Sequence, residues 1–272
     1  MLRVSEACRL FHRLHESGCF VIPNPWDLGS ARLLVSLGFK ALATTSAGFA
    51  WTQGLPDHHV SLEQALQHLR VMAAGVSVPV NADFEGGFAV EPEAVGRHVA
   101  AAVETGIAGL SIEDSTHDAA RPLFEFPLAV ERIRAARRAI DASGPGVLLT
   151  GRSEGFIAGR PDLAETLRRL VAYAEAGADC LYAPGIRSRD EIAAVVKAVA
   201  PKPVNVLAAG DSTTVADLAA LGVRRISVGG ALARAAWSGF FEAAREIAER
   251  GTFKALARAV PSREINEPLG KA

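Results

Sequence analysis

The chain has 272 residues, of which 49% are hydrophobic and 22% charged, with a formal net charge of -1. That balance describes a globular protein with no electrostatic preference for nucleic acid or a membrane surface, so small molecules and other subunits are the expected partners. Three cysteines, Cys8, Cys19 and Cys180, lack C-x-x-C spacing, which argues against a disulfide framework or a zinc site and for a reducing cytoplasm.

Residues 1–18 set Val4, Ala7, Cys8, Phe11 and Leu14 among charged residues, the pattern of an amphipathic helix and not of a signal peptide. No apolar run reaches the roughly 20 residues of a membrane span. A strand-loop-helix unit then begins at Cys19–Ile22, breaks at Pro23-Asn24-Pro25 and continues as a helix from Asp27 to Leu37. The unit recurs. Ala41–Thr45 precedes a polar loop and a helix from Ser61, where Ser61 and Gln64 form a capping pair. Val78–Phe84 precedes a helix over 91–105, Leu110–Glu113 one over 127–142, and Val147–Arg152 one over 162–176. Cys180–Ala183, Val204–Leu207 and Arg225–Val228 precede helices over 189–199, 213–221 and 231–250.

Eight such units predict one closed α/β barrel of the TIM-type (β/α)8 class spanning 1–272, with an N-terminal helix over 1–18 and a C-terminal extension over 251–272. Glycines at Gly38, Gly106, Gly177 and Gly222 stand where each helix must stop and the chain must turn left-handed.

In such a barrel the site lies at the carboxyl ends of the strands. Those ends carry Asn24 and Trp26, then Thr44, Thr45 and Ser46, then Asp83 and Glu85. Next come Glu113 and Asp114, Arg152 with Ser153 and Glu154, Tyr182, and Asn205. Alternation along a strand places Asp83 and Glu85 on one side, where two acids repel unless a cation lies between them. Oxygen donors favour a hard ion such as Mg²⁺. Arg152 can grip a carboxylate with its planar fork, and backbone N–H groups around Ser46, Ala47 and Gly48 can cradle another. Trp26 either walls the pocket or fills the barrel mouth, and Asn205 and Tyr182 either reach substrate or cap neighbouring loops. Loop arginines Arg121, Arg160 and Arg187 are read as solvated.

Four strings carry a resemblance: 24–32 (NPWDLGSAR), 43–48 (ATTSAG), 81–87 (NADFEGG) and 111–115 (SIEDS). Together, in this order, they resemble the isocitrate lyase/phosphoenolpyruvate mutase superfamily over about residues 19–260. The resemblance implies Mg²⁺ held by Asp83 and Glu85 with Glu113 in support, a substrate carboxylate bound by Ser46, Ala47, Gly48 and Arg152, and Asp57 near the site. It implies a terminal helix exchanged between subunits of a homo-oligomer, dimer or tetramer. It also implies a C–C lyase acting on a small 2-oxo or 2-hydroxy (di)carboxylic acid through an enolate. Lyases of that superfamily carry a cysteine in a Lys-Lys/Arg-Cys-Gly-His string after strand four, where this chain reads 115–123 (STHDAARPL). Proton transfer then falls to His117, Asp118 or water, and imidazole titrates near neutral pH. A hydrolase or decarboxylase of an oxaloacetate-like acid, a phosphonomutase, and a non-catalytic 2-oxo acid binder are the alternatives.

Overall fold

A computed structural model describes residues 4–144, 146–208 and 213–270; the first three residues of the expected N-terminal helix and the last two of the extension lie outside them. The elements follow the predicted order. Helix α1 (Val4–Glu16) leads into β1 (Phe20–Ile22), α2 (Leu28–Ser36), β2 (Leu42–Ala43), α3 (Ser46–Thr52), α4 (Leu62–Gly75) and β3 (Val80–Asp83). Then come α5 (Pro92–Val103), β4 (Gly109–Glu113), α6 (Phe126–Ser143), β5 (Leu148–Arg152), α7 (Leu163–Glu175) and β6 (Cys180–Tyr182). The chain closes with α8 (Arg189–Val199), β7 (Val204–Leu207), α9 (Val215–Ala220), β8 (Arg225–Ser227), α10 (Ala231–Arg250) and α11 (Ser262–Leu269).

All eight strands are parallel, in the order β1-β8-β7-β6-β5-β4-β3-β2. The sheet curls into a nearly closed TIM-type barrel. Between β1 and β2 the seam is bridged by the Ala43 N–H donating to the Pro23 carbonyl at 3.0 Å. Asn24 reinforces it: its amide donates to the Thr44 carbonyl, while its oxygen accepts from the N–H groups of Val228 and Gly229, all at 2.9 Å. Helix α1 stoppers the opposite end with Phe11, fully buried. A Cβ added at Gly109 would stand 2.5 Å from the Phe11 ring, so glycine is what lets α1 seat there.

Local signals explain most boundaries. Ser61 and Gln64 make a reciprocal capping box, and Asp27 and Asp162 cap α2 and α7. Gly38, Gly106, Gly177 and Gly222 all have positive φ, between 87 and 105°. The expected polar loop after strand two instead contains α3, and the tail after 251 forms α11 over its last turns, resting against α2. Helix α10 buries only Ala233 and Glu246 and leaves Phe240, Phe241 and Ile247 exposed.

Candidate active site

A cavity of about 530 Å³ opens at the carboxyl ends of the strands. Arg152, last residue of β5, stands in its wall among three acids from three strands or their ends. Its Nη1 lies 3.1 Å from Asp83 Oδ1 on β3 and 3.2 Å from Glu113 Oε2 on β4. The fork side, Nε and Nη2, engages both oxygens of Glu154, and the guanidinium sits 5.3 Å from the centre of the Tyr182 ring. The order follows from register, since Glu113 pairs with Arg152 and Arg152 with Tyr182 across adjacent strands.

Three carboxyl groups around one guanidinium cannot all ionise without leaving negative charge in excess. Burial opposes ionisation of Glu113, yet Arg152 and His117 beside it hold its carboxyl below the usual range. Glu154 goes the other way: burial, with Glu113 adding to it, outweighs Arg152 and pushes the carboxyl up to about 8. Arg152 is held firmly protonated, the acids around it overcoming its burial. Glu113 Oε1 is buried and makes no well-aligned hydrogen bond, with His117 Nε2 beside it at 3.3 Å. A buried anionic oxygen with no well-aligned donor, on a carboxylate that shares Arg152 with Asp83, is what a divalent cation would satisfy, so the residues fit the Mg²⁺ that the sequence motifs imply.

The expected residues fall into place unevenly. Asp83, Glu113, Arg152, Thr45, Ser46, Ala47, Asp57, His117 and Asn205 all line the cavity. Ser46 is committed, however: its N–H and its hydroxyl both donate to Asp83 Oδ2 at 3.0 Å. The Thr45 hydroxyl accepts from the Gly48 N–H as the cap of α3. Of the expected backbone cradle, two N–H groups are therefore spent inside the protein. Gly48 and Trp26 stand outside the cavity, Trp26 lining a shallow groove with Leu28 and Phe49. A Cβ at Gly48 would come within 2.7 Å of Thr45 and 2.8 Å of Trp26, so packing accounts for this Gly–Trp pair.

Glu85 is the clearest departure. Strand β3 ends at Asp83, and Glu85 adopts φ 47°, which breaks the alternation and turns its side chain into a side recess with His68 and Val60 that shares Ser46 and Asp83 with the cavity. There its Oε2 lies 3.4 Å from His58 Nδ1. That hydrogen bond to Glu85 raises His58 to about 9 against the opposing effect of burial. Nothing local in the sequence marked His58. It arrives on the loop before α4 to stack on His117, ring centres 3.8 Å apart, and both histidines hold positive φ. His117 Nε2 is 3.3 Å from Glu113 Oε1. His58, Glu113 and His117 offer ligand atoms within 4.8 Å of one another, a nitrogen-containing set suited to softer divalent ions than the oxygen donors nearby.

The loop between β4 and α6 folds over the cavity, pinned by a bridge between Ser115 and Leu123 and by the Phe124 N–H on the Asp114 carbonyl at 2.8 Å. Asp114 itself is buried behind the site, accepting from the Glu154 N–H, Arg169 and the Tyr173 hydroxyl. It is a brace for the ends of β4 and β5.

A parallel eight-stranded barrel with an acid-ringed arginine at its mouth defines the class: an α/β-barrel protein with a carboxylate site fitted to a divalent cation. Residues 11–248 match the family described as phosphoenolpyruvate phosphomutase. A lyase/mutase candidate from Burkholderia cenocepacia J2315 has a crystal structure that superposes with a TM-score of 0.95 at 47% identity, covering 98% of this chain and 97% of that one. Oxaloacetate decarboxylase of Bradyrhizobium diazoefficiens is 30% identical over 267 residues, 94% of this chain and 91% of its own. Phosphonopyruvate hydrolase, in a complex with oxalate and Mg²⁺, superposes with a TM-score of 0.85 at 27% identity, covering 99% of this chain and 96% of that one. The chain belongs to the phosphoenolpyruvate phosphomutase family, within the isocitrate lyase/phosphoenolpyruvate mutase superfamily.

Proposed function

We propose that the protein is a Mg²⁺-dependent C–C lyase acting on a small 2-oxo or 2-hydroxy carboxylic acid through an enolate. One observation carries the reading: the buried Glu113 Oε1 makes no well-aligned hydrogen bond, with only His117 Nε2 beside it at 3.3 Å, on a carboxylate that shares Arg152 with Asp83. Asp83 and Glu113 would hold the ion, with Glu85 approaching from its recess. When bound, Mg²⁺ supplies Lewis-acid stabilisation of the charge that develops on the 2-oxo oxygen. With the cation on Asp83 and Glu113, Nη1 of Arg152 would be freed for the 1-carboxylate while its fork stays on Glu154; Asp83 is oriented for its task by the two donors of Ser46, and the β4–α6 loop excludes water. His117 lines the cavity and supplies the proton that quenches the enolate carbon after the bond breaks.

Decarboxylation or hydrolysis of an oxaloacetate-like acid is the second reading, favoured by the decarboxylase relative and by a loop with no cysteine. The exposed apolar side of α10 supports exchange of that helix in a dimer or tetramer. Among the described residues no helix is long and apolar enough to cross a membrane, and the cysteine usage supports a cytoplasmic location.

The test is deuterium exchange at C3 of pyruvate in D₂O, together with pyruvate release from oxaloacetate and from branched 2-hydroxy acids, each with Mg²⁺ and with chelator. Mg²⁺-dependent wash-in is expected. Tight ligand binding without any exchange or turnover would make the protein a binder and end the enzymatic reading.

A further inference from the structure

Below Arg152 the cavity continues down the barrel axis to Arg225, the first residue of β8, which lines it while being only 3% exposed. Three neighbours take its hydrogen bonds, all uncharged. Its Nε donates to Asn205 Oδ1 and its Nη2 to the Thr150 hydroxyl, both at 2.9 Å, and its Nη1 lies 3.4 Å from His15 Nε2. His15 Nδ1 is 2.7 Å from the Phe11 carbonyl and must donate there, which leaves Nε2 as an acceptor for Arg225. Burial and then the Arg225 charge lower His15 to about 3, so the ring stays neutral.

Two other inward-turned arginines are matched by carboxylates and a third, Arg132, by backbone carbonyls alone; Arg225 differs from Arg132 in lining the cavity. Arg152 has three acids, Arg169 has Asp114 and Glu165, and Arg132 is capped by the carbonyls of Gly86, Ala89 and Val90. Among the described residues no carboxylate lies within 4 Å of Arg225. A buried guanidinium held only by neutral groups keeps its charge uncompensated, and it has five N–H donors, of which three are in use. The open space beside it is the cavity.

We infer that Arg225 is an anion subsite at the cavity floor, receiving the second carboxylate of a substrate whose first carboxylate meets Arg152. This rests on the acid-binding reading of the site and deepens it. The spacing suits the assignment: Thr150, which Arg225 touches, precedes Arg152 by two residues on β5, and two residues of strand advance roughly 6.6 Å. A short dicarboxylate lying along the barrel axis spans such a step. Asn205 then serves as the positioning residue, its oxygen fixed by Arg225 and its amide by Ser227 at 2.9 Å.

The experiment compares malate with 2-hydroxybutyrate, which differ only in a terminal carboxylate against a methyl group, by calorimetric titration with Mg²⁺ present. The parent should bind malate at least tenfold more tightly. Arg225→Met should lower malate affinity to that of 2-hydroxybutyrate and leave 2-hydroxybutyrate unchanged, with Arg225→Lys recovering part of the preference. Should Arg225→Met not fold, the parent's own preference and the Arg225→Lys titration decide. Equal binding of both acids by the parent, or a preference that survives Arg225→Met, overturns the subsite and leaves the 2-oxo acid reading standing. Binding of neither acid overturns both.

Discussion

Replacing Arg152 by methionine removes the one guanidinium shared by Asp83, Glu113 and Glu154 while keeping the side-chain bulk. Glu113 and Glu154 are both buried, 3% exposed each, so water cannot take over the lost interaction. Removing one partner of a buried ion pair costs about 3–5 kcal/mol, because the other charge stays behind. For a domain of this size a kcal/mol corresponds to roughly 2–4 °C, so the metal-free variant should melt about 6–20 °C below the parent. Mg²⁺ should then rescue the variant more than it stabilises the parent, since Arg152 no longer competes for Asp83 and Glu113. At 100-fold excess over Kd the gain is about 2.7 kcal/mol. Arg152→Lys, which keeps the charge and loses the fork to Glu154, should fall between. The assay is a thermal melt at fixed protein concentration across a Mg²⁺ series with EDTA controls. A variant that melts with the parent, or the same Mg²⁺ increment in both, would refute the view that one arginine and one cation neutralise the same acids.

His117→Gln should lower turnover by about 10²–10⁴-fold while the Kd for oxalate stays within a few fold, because a proton donor acts in the transition state; equal losses in both would make the residue a cover and not an acid. His68 is half-buried against Phe49, ring centres 3.9 Å apart, with its Nε2 buried and unpartnered, and burial lowers it from 6.5 to about 4. Between those values the unfolded chain takes a proton that the folded one refuses, so stability is present above pH 6.5 and is lost as pH falls, by about 1.4 kcal/mol per pH unit. His68→Phe should remove about 2 kcal/mol of the stability change between pH 7 and 5, and an unchanged pH dependence would show that His68 is protonated in the fold. Phe241→Glu on the exposed side of α10 should convert an oligomer to single chains in light scattering; an unaltered mass would place the interface elsewhere.

The barrel was legible because its signals are local. Ser61 with Gln64, Asp162, and glycine at 38, 106, 177 and 222 each act within one turn of chain, and the structure places the boundaries at them. Helix α3 escaped notice because Ser46–Thr52 is seven residues long with a glycine inside it, too short for periodicity to show. At the site, the strand-end rule puts Asp83, Glu113 and Arg152 at one end of the barrel, and the structure sets them side by side because their placement depends on register alone. The alternation it assumed for Glu85 does not hold, because a left-handed residue two positions past the strand end cancels it. His58 and Arg225 were out of reach for a different reason. Each gains its meaning from partners far off in sequence, His117 and Glu85 for one and His15, Thr150 and Asn205 for the other.

Strand β1 has one ladder partner, β8, joined through Phe20 to Arg225, Val21 to Ile226 and Ile22 to Ser227. During synthesis that partner emerges about 200 residues later, which at cellular elongation rates is on the order of 10–40 s. Through that interval β1 is an unpaired edge, Asn24 lacks the Val228 and Gly229 N–H groups it will clasp, and α1 has no Arg225 to meet His15. The nascent chain must therefore carry an open, half-wound sheet whose first strand is available to other edges. Truncation before β8 should yield chains that associate through that edge, and a ribosome-bound intermediate of this protein should recruit chaperones until residue 227 has cleared the exit tunnel.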